Sequence, residues 1–485
     1  MTSNLSRRLF LGSTLAGFAA PALGFAPPTS LRPLAREDVI LNAPPQLDGA
    51  GIVKQAGLNG RVAFAIADVD SPELLDVGHG DQMMAPASVT KAMTAAYALD
   101  QLGPDHHFPT WLRGTGSVVD GVLQGDLILQ GSGDPTLNTD RLGTLVEELR
   151  RQGIWRVAGR FILDPGATPL LRQIDPLQPP QVAYNPSVAG LNLNFNRIRF
   201  DWTRNNGVYD MTMRASGKRY DADVMVSRII PTDTNGPIYR HEMVDGGEAW
   251  MVSRDALGRE GGRWLPTRIP LLHTGEAFRS IARTLQINVP APEVGSSPQD
   301  AVEIARTISE PLTDIARDML KFSNNMTAEA LGFAASGGNS LSASALMLSN
   351  WTHSQGMKSD FVDHSGLGEK SQVSAAGLVR FMMTQSPDSL QPILKDMTLN
   401  NNGQHRAPGM KIYAKTGSLN FVSALSGYLV KDDKRYAFGI LTDNLSERAK
   451  IKPEDREHPA GGGYWAKRSR SLQYKLLRHW ASGFA

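Results

Sequence analysis

Two rhythms of apolar and polar positions run along this chain, and the switches between them mark out its elements. Arg61–Asp68 (RVAFAIAD) is an apolar run of strand length. Asp70-Ser71-Pro72-Glu73 turns it, and Leu74–Val77 returns as a second strand, so a hairpin is predicted. From Ser88 the chain turns to good helix formers, with Met93, Tyr97 and Leu99 able to bury, and a helix packed on that hairpin follows. Gly125–Gln130 reads as one more short strand, closed by Gly131-Ser132-Gly133-Asp134-Pro135.

From about Asn138 to Val294 the character changes. Short alternating stretches (156–163, 191–200, 208–213, 249–252) are separated by Gly, Pro and Asn, which is the pattern of an all-β insertion. Val289-Pro290-Ala291-Pro292-Glu293-Val294-Gly295 leads out of it. Helical spacing resumes with Leu312, Ile315, Ala316, Met319 and Leu320, with Pro311 at the first turn. That helix stops at Ser323-Asn324-Asn325, in which a C-cap and an N-cap are the simplest reading, and another runs from about Met326 to Ala335. Lys411–Lys415 is extended and runs into Thr416-Gly417-Ser418. Phe421–Val430 and Arg435–Leu441 form a hairpin about Lys431–Lys434. The last segment, Tyr464–Trp480, is a basic helix whose Trp465, Leu472, Leu476, Leu477 and Trp480 would cover the sheet.

A length of 485 residues suggests two or three domains. The formal charge of +2 comes from Arg7 and Arg8, within a first 26 residues that contain no acid. The remainder is balanced, and this gives no footing for nucleic acid or a polybasic membrane patch. The chain has no cysteine, which excludes thiolate metal sites, iron–sulfur clusters, disulfides and cysteine nucleophiles. Ser6-Arg7-Arg8-Leu9-Phe10-Leu11, a mildly apolar run and Ala20-Pro21-Ala22 form a twin-arginine export signal over residues 1–26. The apolar run is too short to span a bilayer, so a periplasmic protein without an integral membrane span is expected.

The chemistry starts at Ser88. Lys91 lies one helical turn on, on the same face, where an amine can take the hydroxyl proton. The helix start supplies N–H groups for negative charge developing beside the serine. Ser88-x-x-Lys91, Ser323-x-Asn325 and Lys415-Thr416-Gly417 occur in that order, a set found in class A β-lactamases and penicillin-binding proteins. Ser418-Leu419-Asn420 also fits Ser-x-Asn, but it overlaps the Lys-Thr-Gly strand and cannot form a second wall.

Roles follow from residue type. Ser88 is the nucleophile. Lys91 is its base, if burial and the neighbouring cation Lys415 bring its pKa from about 10.4 to about 7. Ser323 is placed to relay the proton to the leaving amine, and Asn325 to bind a substrate amide. Lys415, Thr416 and Ser418 suit a terminal carboxylate, and Gly417 is expected to keep the strand edge bare for a peptide. The backbone N–H groups of Ser88 and Ser418 are the expected oxyanion donors. No Gly-x-Ser-x-Gly elbow, His-Glu-x-x-His or Walker loop occurs, and His106-His107 reads as a surface pair. No metal and no cofactor is expected.

At these residues the chain resembles the class C low-molecular-mass penicillin-binding proteins, the D-alanyl-D-alanine carboxypeptidase/endopeptidase family. The resemblance extends to Pro86–Lys91, Gly131–Leu137, Leu193–Asn196, Asp363–Leu367 and Lys415–Ser418. It implies an α/β (α+β) serine β-lactamase/transpeptidase-like domain, an antiparallel sheet flanked by helices, with β-rich domains inserted between the first and second motifs. The expected division is 1–26 signal, 27–137 with 296–485 catalytic, and 138–295 inserted. The partners it implies are peptidoglycan stem peptides as substrate and β-lactams as covalent inhibitors. A β-lactamase, or a non-catalytic cell-wall-binding protein of this fold, is the alternative. Two positions depart from the pattern: Asn324 replaces an aspartate, and its side chain is expected to turn from the cleft. His364 stands where a small residue is usual, and would tune substrate access or be neutral.

Overall fold

The computed structural model describes residues 48–233, 238–400 and 402–483. The predicted export signal lies outside the described residues. A six-stranded antiparallel sheet is assembled from both ends of the chain. Its order is Leu74–Gly78, Arg61–Asp68, Lys434–Asp443, Val422–Lys431, Lys411–Leu419 and Lys395–Asp396. Arg61 pairs with Asp443 at one end of the central register and Asp68 with Tyr436 at the other, and the Arg61 guanidinium also binds the Asp443 carboxylate.

Strand alternation explains why Arg61–Asp68, buried on both faces, is apolar between its charged ends. Ala63, Ala65 and Ala67 face one core with Val89, Met93, Ala328, Leu331 and Leu378. Val62, Phe64 and Ile66 face the other, with Leu472, Leu476, Leu477 and Trp480. The sheet is therefore sandwiched. The terminal helix Gly462–Gly483 covers one side, as its apolar face predicts. Helices Thr90–Leu102, Leu312–Phe322, Asn325–Ser336, Leu341–Ser354 and Ala375–Thr384 cover the other.

The insertion departs from the expectation in two ways. It is not all β: Thr139–Arg151 and Pro270–Thr284 are helices. The first has an Asn138 N-cap and buries Leu142, Leu145, Val146 and Leu149 at helical spacing; the second starts on Pro270. Its borders also lie further out than 138–295. One five-stranded sheet runs Pro292–Val294, Phe161–Asp164, Leu127–Gln130, Pro109–Gly114 and Val302–Ile308, so segments expected in the catalytic body belong to it. Leu112, Leu127 and Leu129 share its core, with Ile304 and Ala305 packed against it. The strand leading in pairs antiparallel with the strand leading out, Pro109 opposite Ile308, and the Phe108 carbonyl accepts from Ser309 N. The excursion is thus closed by hydrogen bonds where it leaves and rejoins the catalytic body.

Candidate active site

Ser88 sits in a tight turn, Ala87–Val89, that passes directly into the helix Thr90–Leu102. Ala87 holds a left-handed φ of 46°, an unusual conformation for a residue with a Cβ. Three contacts hold it there. Thr90 Oγ1 donates to the Ala87 carbonyl at 2.9 Å. Gly366, at φ 72°, packs so close that a Cβ would stand 1.8 Å from that same carbonyl oxygen. On the third side, a Cβ on Gly417 would stand 2.5 Å from the Pro86 oxygen and 3.1 Å from Ser88 N.

Gly417 therefore has a different task from the one expected. Its missing side chain lets the Lys411–Leu419 strand close on the nucleophile turn; it faces that turn rather than a peptide. The same approach brings the strand bearing Ser418 beside the Ser88 amide. Gly417→Ala should push the strand off the turn and slow β-lactam acylation by about 10²-fold with the sheet still folded, measured by stopped-flow acylation and circular dichroism.

Lys91 is fully buried, and its Nζ lies 2.9 Å from Ser88 Oγ and donates to the Ser365 carbonyl at 2.7 Å. Burial lowers its pKa to about 7, against the pull of two buried acids, Asp363 and Glu329. Burial, expected from the sequence together with the neighbouring cation Lys415, is the main agent. Lys415 is itself held well below its ordinary value, by burial first and then by the charges of Lys91 and Lys395. Its Nζ donates to Ser323 Oγ at 3.0 Å and to the Thr416 carbonyl at 2.7 Å.

The Ser323 corner is a cap and a site residue at once. Ser323 ends the Leu312–Phe322 helix in a left-handed conformation, which directs its hydroxyl to Lys415. Asn324 begins the next helix: its side chain accepts from Thr327 N at 3.1 Å and is committed to that cap. Asn325 Nδ2 donates to the Tyr184 carbonyl at 2.7 Å, tying the corner to the insertion.

These segments converge on a groove of about 600 Å³. Ser88, Ser323, Asn325 and Ser418 line it, with Gln178 and Tyr184 from the insertion. The two lysines lie beneath its surface. Thr416 is exposed two residues from Ser418 on the same strand face, outside the groove lining. The rival Asn420 also lines the groove but donates to the Arg456 carbonyl, at the end of the Ser418 strand.

Sequence reasoning missed the acids behind Lys91. Glu329, one turn after Asn325 on the same helix, is fully buried and accepts from His364 N at 3.0 Å and Ser365 N at 2.9 Å. Asp363 accepts from Gly366 N and Gly368 N, both at 2.5 Å. Burial, and then Asp363, pushes Glu329 up to about 8; burial raises Asp363 as well. The available signal for Glu329 was that it is the single charged residue of its helix. His364 does not reach the groove. Its ring is fully buried against Gly332, where any Cβ would overlap it, and Nε2 lies 2.6 Å from Ser344 Oγ. It is a packing residue, so the idea that it tunes access is set aside.

Residues 50–458 match the profile of the D-Ala-D-Ala carboxypeptidase 3 (S13) family. The chain is 26% identical to the D-alanyl-D-alanine carboxypeptidase of Actinomadura sp. (strain R39), across 92% of this chain and 87% of that one. It is 24% identical to the D-alanyl-D-alanine carboxypeptidase DacB of Haemophilus influenzae, across 81% of this chain and 88% of the relative. In fold it is similar to the crystal structure of penicillin binding protein 4 (dacB) from Haemophilus influenzae. That match has a TM-score of 0.69 at 20% identity and covers 89% of this chain and all of the other. Among the described residues no helix is long and apolar enough to cross a membrane.

Proposed function

The chain belongs to the D-Ala-D-Ala carboxypeptidase 3 (S13) family, and from that premise we propose that it is a periplasmic serine D,D-peptidase cleaving D-alanyl-D-alanine bonds of peptidoglycan stem peptides. The observation that carries the mechanism is the fully buried Lys91 amine 2.9 Å from Ser88 Oγ. With its pKa near 7, a large share of this amine is neutral at physiological pH and able to accept a proton.

Ser88 Oγ attacks the penultimate D-alanine carbonyl as its proton passes to Lys91. The backbone N–H groups of Ser88 and Ser418 receive the oxyanion. When the C–N bond breaks, Ser323 hands its proton to the leaving amine and takes in exchange the proton that Lys91 received, so Lys91 is neutral again and the acyl group remains on Ser88. Water then attacks the ester as the neutral Lys91 takes its proton, and Lys91 returns that proton to Ser88 Oγ as the ester C–O bond breaks, which restores both groups. Asn325 holds the amide of the acyl half. Lys415, Thr416 and Ser418 hold the terminal carboxylate of the leaving half. A β-lactam follows the same first step and stays bound.

Residues 1–26 supply export by the twin-arginine route in this reading. The catalytic body is formed by both chain ends, and the insertion contributes Gln178 and Tyr184 to one wall of the groove.

The test is to incubate the purified protein with muropeptides and weigh the products. Loss of one alanine marks carboxypeptidase activity, and splitting of dimers marks endopeptidase activity. Intact protein should also gain the mass of one penicillin. Rapid turnover of a chromogenic β-lactam would make it a β-lactamase, and no added mass with no muropeptide product would overturn the enzymatic reading.

A further inference from the structure

A second cavity, of about 630 Å³, adjoins the groove behind Ser323. Tyr184, Ser323 and Asn325 line both spaces. One wall is the exposed end of the Leu312–Phe322 helix; the opposite wall comes from the insertion and carries Phe195 and Arg197. We propose that this cavity is a subsite for the leaving half of a cross-linked peptide, with Arg197 binding one of its free carboxylates. The inference rests on the D,D-peptidase reading above.

Arg197 is the reason. Among the described residues its guanidinium has no acid partner and no hydrogen bond. Its Nε is sealed from solvent without an acceptor. Its only close neighbours of note are ring faces, Phe195 at 5.2 Å and Trp264 at 5.8 Å. Burial lowers its pKa, which records the cost of holding this charge unpaired. A guanidinium held over ring faces, with no acid partner, leaves its terminal N–H groups for a carboxylate, and a lysine would not present the same fork.

The position is built, not incidental. Asn194, Phe195 and Asn196 all hold left-handed φ angles, 50°, 60° and 52°, immediately before Arg197. Asn196 Nδ2 donates to Asn192 Oδ1 at 2.7 Å and to the Ser187 carbonyl at 3.0 Å, both buried, which fixes that turn.

The remaining lining fits a peptide. Ile315, Met319 and Met326 are buried and offer an apolar floor, while Phe322 is 68% exposed at the rim. The acids nearby do not neutralise Arg197: Asp314 pairs with Arg317, and Glu310 and Asp318 lie exposed. An occupant with a carboxylate inward and an amine outward matches that polarity.

Chemistry selects the leaving half. Ser323 gives its proton to the departing amine, so the departing piece passes Ser323, where the cavity begins. A lone D-alanine has one carboxylate, already assigned to Lys415, Thr416 and Ser418. The leaving half of a cross-link is a whole stem peptide with further free carboxylates, and only such a piece has one left for Arg197.

The experiment compares wild type, Arg197→Gln and Arg197→Lys on a purified cross-linked muropeptide dimer, a monomeric pentapeptide and penicillin. Loss of one charged hydrogen-bonding partner should raise KM for the dimer by about 10- to 100-fold in Arg197→Gln, with partial recovery in Arg197→Lys. Monomer hydrolysis and penicillin acylation should stay within about twofold of wild type, which also reports that the variants are folded. An unchanged KM for the dimer, an equal loss on the monomer, or a wild type that cleaves only the monomer overturns the subsite. A wild type inert towards all three compounds instead removes the parent reading.

Discussion

Lys91→Met should abolish penicillin acylation as completely as Ser88→Ala, a loss of about 10⁴-fold or more for either, and the double variant should be no worse. The two side chains act as one unit. A serine hydroxyl without a base is a poor nucleophile, and a base without the hydroxyl has nothing to activate. Methionine fills the buried space with a side chain of similar length and leaves no amine, so the fold survives the exchange.

The pH profile follows from the same amine. Its reactive form is the neutral one, and its pKa is lowered to about 7. Acylation should therefore rise about tenfold per pH unit below 7 and level off above it. Glu329 titrates near 8 beside it, and its ionisation favours the ammonium, so the bend belongs to the cluster of Lys91, Glu329 and Asp363 and will be broad. Towards higher pH the buried Lys415 also gives up its charge, earlier than an exposed lysine would, and carboxylate binding weakens with it. The decisive measurement is kcat/KM for acylation from pH 5 to 9. A flat profile, or near-normal acylation in Lys91→Met, would remove Lys91 as the base.

What the chain reveals by itself is local. Ser88 and Lys91 are three residues apart and share a helix face by geometry alone, and the apolar rhythm of 61–68 and 464–480 marks the sheet and its cover. Lys415–Gly417 is recognisable as a triplet, yet the reason for Gly417 lies in Pro86 and Ser88, more than three hundred positions away, and spacing cannot show such a contact. The borders of the insertion failed for the same cause: Pro109–Gly114 pairs with Val302–Ile308, and nothing in either strand names its partner. The helix Thr139–Arg151 was legible in its own spacing and was masked by the β pattern on either side. Glu329 and Asp363 escaped because an acid on a helix or in a loop normally marks a solvated face.

Glu329 carries the second large effect, and it separates support from chemistry. Glu329→Ala leaves the His364 and Ser365 amides without acceptors in a fully buried place and opens a void beside them. At about 1–3 kcal/mol for each orphaned group, plus the void, a loss of about 3–5 kcal/mol in stability is expected. The Ser365 carbonyl, which holds Lys91 Nζ, moves with its own amide, so acylation should fall even in protein that remains folded. Glu329→Gln keeps the volume and one acceptor, and it removes the charge that draws the Lys91 pKa upward. Below pH 8 Glu329 is mostly protonated, so the acid limb should keep its place while the upper part of the bend, through pH 8, sharpens, a change that a purely structural role would not produce. Stability gives an independent sign. With a folded pKa near 8, raised from the ordinary glutamate value of 4.5, this group binds a proton in the native state that the unfolded chain has lost. Its contribution is complete below about 4.5 and declines as pH climbs through 8, so Glu329→Gln should flatten that part of the wild-type stability curve. Denaturant midpoints at pH 5, 7 and 9 for both proteins measure it, and parallel curves with an unchanged bend through pH 8 would reduce Glu329 to a packing residue.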